Sequence, residues 1–528
     1  MVDDFTLPAD PASAWAAAPD APFLSDELRA LVVQLFEAEP PAPVDGGAEV
    51  VPPSALTPQA RAAFAAAVGE RQLHEDVATR AAHANGMSYL DLLRHRLPGS
   101  RPLPDAVVTP ADEEEIAALL AAASEQRVAV VPFGGGTSVV GGVTPAAGGF
   151  AAVVALDLRR LDALVELDEV SRTATLGAGL TGPRAEALLA ERGYTLGHVP
   201  QSFERATLGG YAATRSAGQL STGWGRFDAL VERLRAVTPA GTLALGRAPG
   251  SAAGPDLRQL LLGSEGAFGV ITEVTVRIRP LPAARRHEGW RVASFAAGAA
   301  LLRRLAQDGP RPDLARLSDE TETAMGVATA GEQAGEGCLL LVGWEGAEAE
   351  VAGRALATDA LLREAGSVPL GEQAASSWRS GRFRAPRLRD ELIDVGLVIE
   401  TLETAASWRD LEAVHAAVGE ALREALDGWR PIVACHVSHL YPAGASLYFS
   451  VIARRDAADP VGQWQRAKRA ATDAMAAAGA TITHHHAVGA DHAPWLAAEV
   501  GEEGVALLRA IKRELDPAGV MNPGKLLP

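Results

Sequence analysis

Three stretches between residues 132 and 273 leave the backbone bare: "PFGGGTSVVGGV" (132–143), "PQSFERATLGGYAATRSAG" (200–218) and "GSEGAFGVITE" (263–273). Glycine has no Cβ, so consecutive N–H groups there can approach a ligand closely, and the adjoining hydroxyls add donors without adding charge. The first stretch is not a Walker loop, because no G-K-[ST] follows its glycines. One such loop could simply turn the chain; three in succession imply a large anionic cofactor lying across one domain. The apolar run "VAVVPF" has strand length and feeds directly into Gly134. Before it, Asp112 followed by Glu113, Glu114 and Glu115 marks a helix start, where negative charge opposes the partial positive charge of the N-terminus. Strands and single helices then alternate to about residue 282, an α+β or α/β pattern. Strands such as "CLLLVGW" and "ASLYFSVIA" among helices predict a second α+β domain beyond it.

A further glycine motif, "GAGLTG" (177–182), fits G-x-G-x-x-G between a strand and a helix. The acidic residue at the end of a following strand, needed to hold a ribose, is missing from "GYTLGHVPQSFERAT", so a turn into a helix with Pro183 at its first position is expected. With 528 residues the chain exceeds one ordinary core and several domains are expected. A net charge of −18 excludes a general nucleic-acid partner, which needs a basic surface. Cys338 and Cys435 are expected to be small buried hydrophobes. The N-terminus lacks a basic leader region, and no uninterrupted apolar run of membrane-spanning length occurs, so a cytoplasmic protein is expected. Residues 38–53, "AEPPAPVDGGAEVVPP", read as a linker.

"VVPFGGGTSVVGGV", "PQSFERATLGGYAATRSAG" and "LLGSEGAFGVITEVTVRIRPLP" together resemble the FAD-binding domain of vanillyl-alcohol-oxidase-type flavoproteins. Within that superfamily, "TRSAG", "GASLYF", "RDELIDVGLVIETLETAASW" and "THHHAVG" resemble the alkylglycerone-phosphate (alkyldihydroxyacetonephosphate) synthases, from about residue 50 to the end. The resemblance implies an α+β fold: an FAD-binding domain of two α+β subdomains (101–282) and an α+β cap or substrate domain (283–480). A tail and helical segment (1–100) precede them, and a C-terminal segment (481–528) returns to the flavin. It implies noncovalent FAD, since Thr137 and Ser138 stand where some relatives carry an attachment histidine. Pro132, Phe133, Gly134, Gly135, Gly136, Thr137 and Ser138 would hold the diphosphate. Gln201, Ser202, Phe203, Glu204, Arg205, Ala206 and Thr207, with Thr214, Arg215, Ser216 and Ala217, would line the flavin and ribityl chain. Glu265, Gly266, Ala267, Phe268, Gly269, Val270 and Ile271 would line the other side.

The implied reaction exchanges the acyl group of acyl-dihydroxyacetone phosphate for a long-chain alcohol, a step of ether-lipid synthesis without net redox change. Tyr448 matches the family's proton-moving tyrosine; an ordinary phenol titrates near ~10, so a base role needs cationic neighbours. Arg389 matches a substrate-phosphate ligand, a task suited to a bidentate guanidinium. Arg316 matches an arginine that supports the histidines. His484, His485 and His486 complete the expected catalytic set. In an extended "TITHHH", His484 and His486 would share one face and His485 the other. His436 and His439 are the most obvious additional ligands for a metal. The acidic core of the metal motif found in flavin-dependent D-2-hydroxy-acid dehydrogenases is absent, however, and no metal is expected. Oxidation of a D-2-hydroxy acid or another alcohol is the alternative activity. Five tryptophans (Trp290, Trp344, Trp378, Trp408 and Trp464) are expected in the core. Arg466, Lys468 and Arg469 are expected on a solvated helix face, limiting membrane contact to a weak peripheral one. A homodimer is expected.

Overall fold

The computed structural model describes residues 24–39, 52–94, 96, 102–330, 336–381, 383 and 385–527; most of the expected linker lies outside them. Three sheets carry the architecture. The first has four strands in the order Leu73–His74, Ala106–Val108, Ala152–Asp157, Val128–Phe133, the last three mutually parallel. Helix Glu113–Gln126 makes the crossover, capped by Asp112, whose carboxylate accepts the Glu115 N–H. Helix Pro58–Val68 packs on that helix and sinks Phe64 into the same core, so the first sheet's core draws on chain well before the glycine loop.

The second sheet has five antiparallel strands, ordered Leu164–Asp168, Thr173–Gly177, Val270–Arg277, Val231–Thr238, Gly241–Leu245. "GAGLTG" is the turn into helix Gly182–Ala190, with Pro183 at its second position, not its first. A Cβ on Gly177 or Gly179 would meet the carbonyl oxygens of Leu161 or Leu158, at 2.2 and 1.9 Å, so both glycines serve packing.

The third sheet has seven antiparallel strands: Val368–Gly371, Ala284–Val292, Cys338–Gly346, Leu314–Ser318, Ile432–Leu440, Gly444–Arg454, Leu397–Ser407. Period-two alternation gives it two unlike faces. Ala445, Leu447, Phe449, Val451 and Ala453 point into a core closed by helices Phe295–Gln307, Glu348–Glu364, Leu411–Ala425 and Pro460–Ala477. The intervening Tyr448, Ser450 and Ile452 face the cavity lined by the three glycine stretches. Both cysteines are free and buried. Trp290 and Trp344 are fully buried, whereas Trp378 borders a cavity. Lys468 is buried, not solvated. Among the described residues no helix is long and apolar enough to cross a membrane.

The C-terminal arm closes the molecule. Val130 donates to Val520 O and Asn522 donates to Val130 O, which ties the arm to the strand that feeds the glycine loop. Asn522 Nδ2 then donates to the carbonyls of Gly142 and Glu265, joining the first and third glycine stretches.

Candidate active site

The glycine loop leaves strand Val128–Phe133 and backs directly onto the second motif. A Cβ on Gly135 would sit 2.0 Å from Arg205 O, and one on Gly134 2.4 Å from Thr207 Oγ1. Gly136 has φ +64°, a conformation that favours glycine. Among the described residues no protein acceptor takes the backbone N–H groups of Gly134 through Ser138. Five bare amides at the mouth of a long cavity fit a diphosphate. That cavity, about 420 Å³, runs from the loop to Tyr448, His485 and His486. A lining with bare amides at one end and aromatic and imidazole side chains at the other fits a dinucleotide such as FAD.

Pro132, Phe133, Gly134, Gly135, Gly136, Thr137 and Ser138 all line the cavity, as do Gln201, Ser202, Ala206, Thr207, Thr214, Ser216, Ala217, Glu265, Gly266, Gly269 and Ile271. Seven of the expected cofactor residues do not. Phe203, Ala267, Phe268 and Val270 are buried in packing cores. Arg205 contributes its backbone as the surface under Gly135, and Glu204 lies in the same turn outside the lining. Arg215 turns away: its Nε donates to Leu262 O at 2.9 Å and its Nη2 to Gln259 O at 3.0 Å. A contiguous motif must alternate between ligand and core, so only part of it can touch either.

Glu265 is a clamp. Its carboxylate accepts the N–H groups of Val488 and Gly489 at 2.8–3.0 Å, and burial pushes its carboxyl up to about 7 against the pull of those bonds. It therefore pins the loop that follows the histidines against the third glycine stretch.

A second cavity, about 460 Å³, adjoins the first, and the two share Pro200, Gln201, Ala217, Thr401, Tyr448, Ser450 and His485. Tyr448 thus stands on the partition. Desolvation raises its phenol above the ordinary value, while the Thr401 hydroxyl and the Arg389 charge pull it back; the group rests as a protonated phenol. Arg389 lines the first cavity. Its Nη2 donates to Met87 O at 2.8 Å, and its buried Nε has no hydrogen-bond partner among the described residues. Leu388, Leu392, Ile399 and Ile452 make an apolar wall beside it.

The histidine triplet is not a strand. Glu403, on the cavity-facing side of strand Leu397–Ser407, accepts the backbone N–H groups of His484, His485 and His486 at 2.6, 3.1 and 2.8 Å, and the Thr483 hydroxyl at 2.6 Å. Three successive N–H groups can converge on one carboxylate only if the chain curls around it, since an extended chain alternates them. Ala487 completes the curl at φ +73°. The expected alternation fails accordingly: His485 and His486 line the cavity together, and His484 turns away to Tyr441, with its Nε2 2.6 Å from that hydroxyl. Burial disfavours a charge on Glu403. Even so, the imidazoles of His485, His486 and His484, His485 first, outweigh it and hold the carboxyl well below the usual range.

Arg316 also lies elsewhere than expected. It donates to Glu322 Oε1 at 2.9 Å and lies 3.0 Å from His436 Nδ1, so it supports His436 and not the triplet. Trp378 joins Arg316, His436 and His439 around the second cavity, its ring centre 5.9 Å from the guanidinium carbon. Sequence reasoning missed Glu403. The available signal was one acidic side chain on the face formed by Leu397, Ile399, Thr401, Glu403, Ala405 and Ser407, whose other members are apolar or hydroxylated.

Residues 104–245 match the family model described as "FAD binding domain", and residues 281–526 match "FAD linked oxidases, C-terminal domain". The chain is 30% identical to an alkyldihydroxyacetonephosphate synthase of Trypanosoma brucei brucei over 87% of its own length and 78% of that protein. It is 29% identical to one of Dictyostelium discoideum over 96% and 85%. A solved alkyldihydroxyacetonephosphate synthase superposes with a TM-score of 0.79 at 26% identity, covering 94% of this chain and 90% of that one. With its vanillyl-alcohol-oxidase-type α+β fold and its FAD-binding architecture, the chain belongs to the alkyldihydroxyacetonephosphate synthase family.

Proposed function

We propose that the protein exchanges the acyl group of acyl-dihydroxyacetone phosphate for a long-chain alcohol, with noncovalent FAD and no net redox change. The observation that carries this reading is the junction of the two cavities at Tyr448, with one desolvated arginine and an apolar wall beside it. Arg389 offers an unpartnered donor to a phosphate, and Leu388, Leu392, Ile399 and Ile452 suit an aliphatic chain. When bound, FAD would supply an electrophile. Tyr448 starts protonated and gives up the proton of its phenol oxygen toward the reacting carbon or leaving oxygen; Arg389 and Thr401 then stabilise the phenolate. His485 and His486 pack around that ring, with centroids 6.2 and 5.6 Å away, and hold its orientation. Noncovalent attachment is supported by Thr137 and Ser138 in the diphosphate loop, and by His198 being buried against Ser216 at 3.1 Å.

An anaerobic absorption spectrum of the holoenzyme tests this. Acyl-dihydroxyacetone phosphate should remove the oxidised-flavin band, and a long-chain alcohol should restore it with ether product detectable by mass spectrometry. Bleaching by D-lactate with no response to the phosphate ester would instead establish a dehydrogenase.

A further inference from the structure

We propose that His439, His484 and His485 form a binding site for a divalent transition-metal ion, with its open coordination position facing the second cavity. One ring nitrogen from each lies within 4.8 Å of the others, although His439 and the other two are separated in the chain by helix Pro460–Ala477. His484 Nδ1 and His485 Nδ1 are 3.0 Å apart. Zinc–nitrogen bonds of about 2.0–2.1 Å place tetrahedral ligand atoms a little over ~3 Å from one another, so small ring rotations would close the site.

Three further features suit a cation. The Nδ1 of His439 is buried and has no hydrogen-bond partner among the described residues. His484 presents its other nitrogen to the Tyr441 hydroxyl at 2.6 Å, the outer hydrogen bond that fixes a ligating imidazole in orientation. The Glu403 carboxylate lies 3.4 Å from His485 Nδ1 and 3.9 Å from His484 Nδ1, a buried negative charge behind the ligands.

An all-imidazole donor set selects zinc, cobalt or another transition ion over magnesium or calcium, which prefer oxygen. His439 and His485 both line the second cavity with Tyr448, so the fourth position opens where a substrate carbonyl or phosphate oxygen would lie. The site does not depend on the alkyl-exchange reading: any oxygen-bearing substrate could complete it. It revises the expectation of no metal, because the sequence separates ligands that the fold brings together.

Metal analysis of the full-length holoenzyme tests the site. Protein stripped with chelator, incubated with Zn²⁺ or Co²⁺ alone and desalted should retain about one ion per chain, and His439→Gln should retain less than a tenth of that at unchanged FAD content. Should His439→Gln fail to fold, X-ray absorption of the zinc-loaded wild type decides: three imidazole nitrogens near ~2.0 Å are expected. Retention below a tenth of an ion by the wild type, full retention by folded His439→Gln, or a shell of oxygen atoms alone would each overturn the proposal.

Discussion

Glu403 shows how much one buried side chain can organise. It satisfies three consecutive backbone donors and one hydroxyl, and it is 2% exposed. Glu403→Gln removes the charge and sets an amide N–H₂ against the N–H groups, leaving at least one buried donor unpaired. Urea denaturation should register a loss of about 2–4 kcal/mol, the cost of orphaning such groups beside a lost charge-assisted bond, together with at least tenfold slower turnover. Unchanged stability would mean that the loop holds its curl without the carboxylate. At this scale motif resemblance named Tyr448 and Arg389; Tyr448 stands where the two cavities meet, and Arg389 lines the first of them. Arg316, Arg215 and Phe203 were read from the same kind of motif, yet their side chains go to Glu322, to backbone carbonyls and to the core. A motif names a stretch of chain; the direction of each side chain depends on what packs against it.

At the scale of elements, the glycine loop and the histidine loop went opposite ways. Strand Val128–Phe133 and its turn were readable because an apolar run followed by three glycines admits few conformations. A Cβ at position 135 would strike the Arg205 carbonyl at 2.0 Å, a backbone atom that cannot rotate away. Gly135→Ala should therefore push the two loops apart and yield protein with a strongly reduced flavin-to-protein absorbance ratio and an otherwise intact far-UV dichroism spectrum. Full flavin content would show that the loop tolerates the shift. "TITHHH", in contrast, has β-branched residues and read as extended. The carboxylate that curls it comes from a different strand, and no local propensity announces such a partner. The alternation in "GASLYFSVIA" was reliable for the converse reason: a two-faced sheet repeats every second residue whatever lies beyond it.

For the whole molecule, the cofactor cavity is an assembly of three regions. The first sheet supplies the glycine loop 132–138, the segments around the second sheet supply Gln201, Thr207, Thr214 and Glu265 among others, and the seven-stranded sheet supplies Thr401, Tyr448 and Ser450. The C-terminal arm ties the first two together through Asn522 and Glu265. A ligand bound only by the assembled form stabilises it by mass action, about 2.7 kcal/mol at a hundredfold excess over Kd. Stripping FAD should thus lower the melting temperature, and back-titration should raise it progressively. A melting temperature independent of FAD would contradict a cofactor bridging these regions.

The sequence alone determined the glycine loops, the helix caps and the alternating strands, because each depends on steric or hydrogen-bonding rules that act within a few residues. It also carried enough motif to mark an FAD-binding α+β chain. Only the tertiary structure decided which side chains meet: Glu403 with three histidines, Arg316 with His436, and His439 with His484 and His485. Those pairings join segments far apart in the chain, and their geometry is set by how sheets and loops pack, which no local pattern encodes.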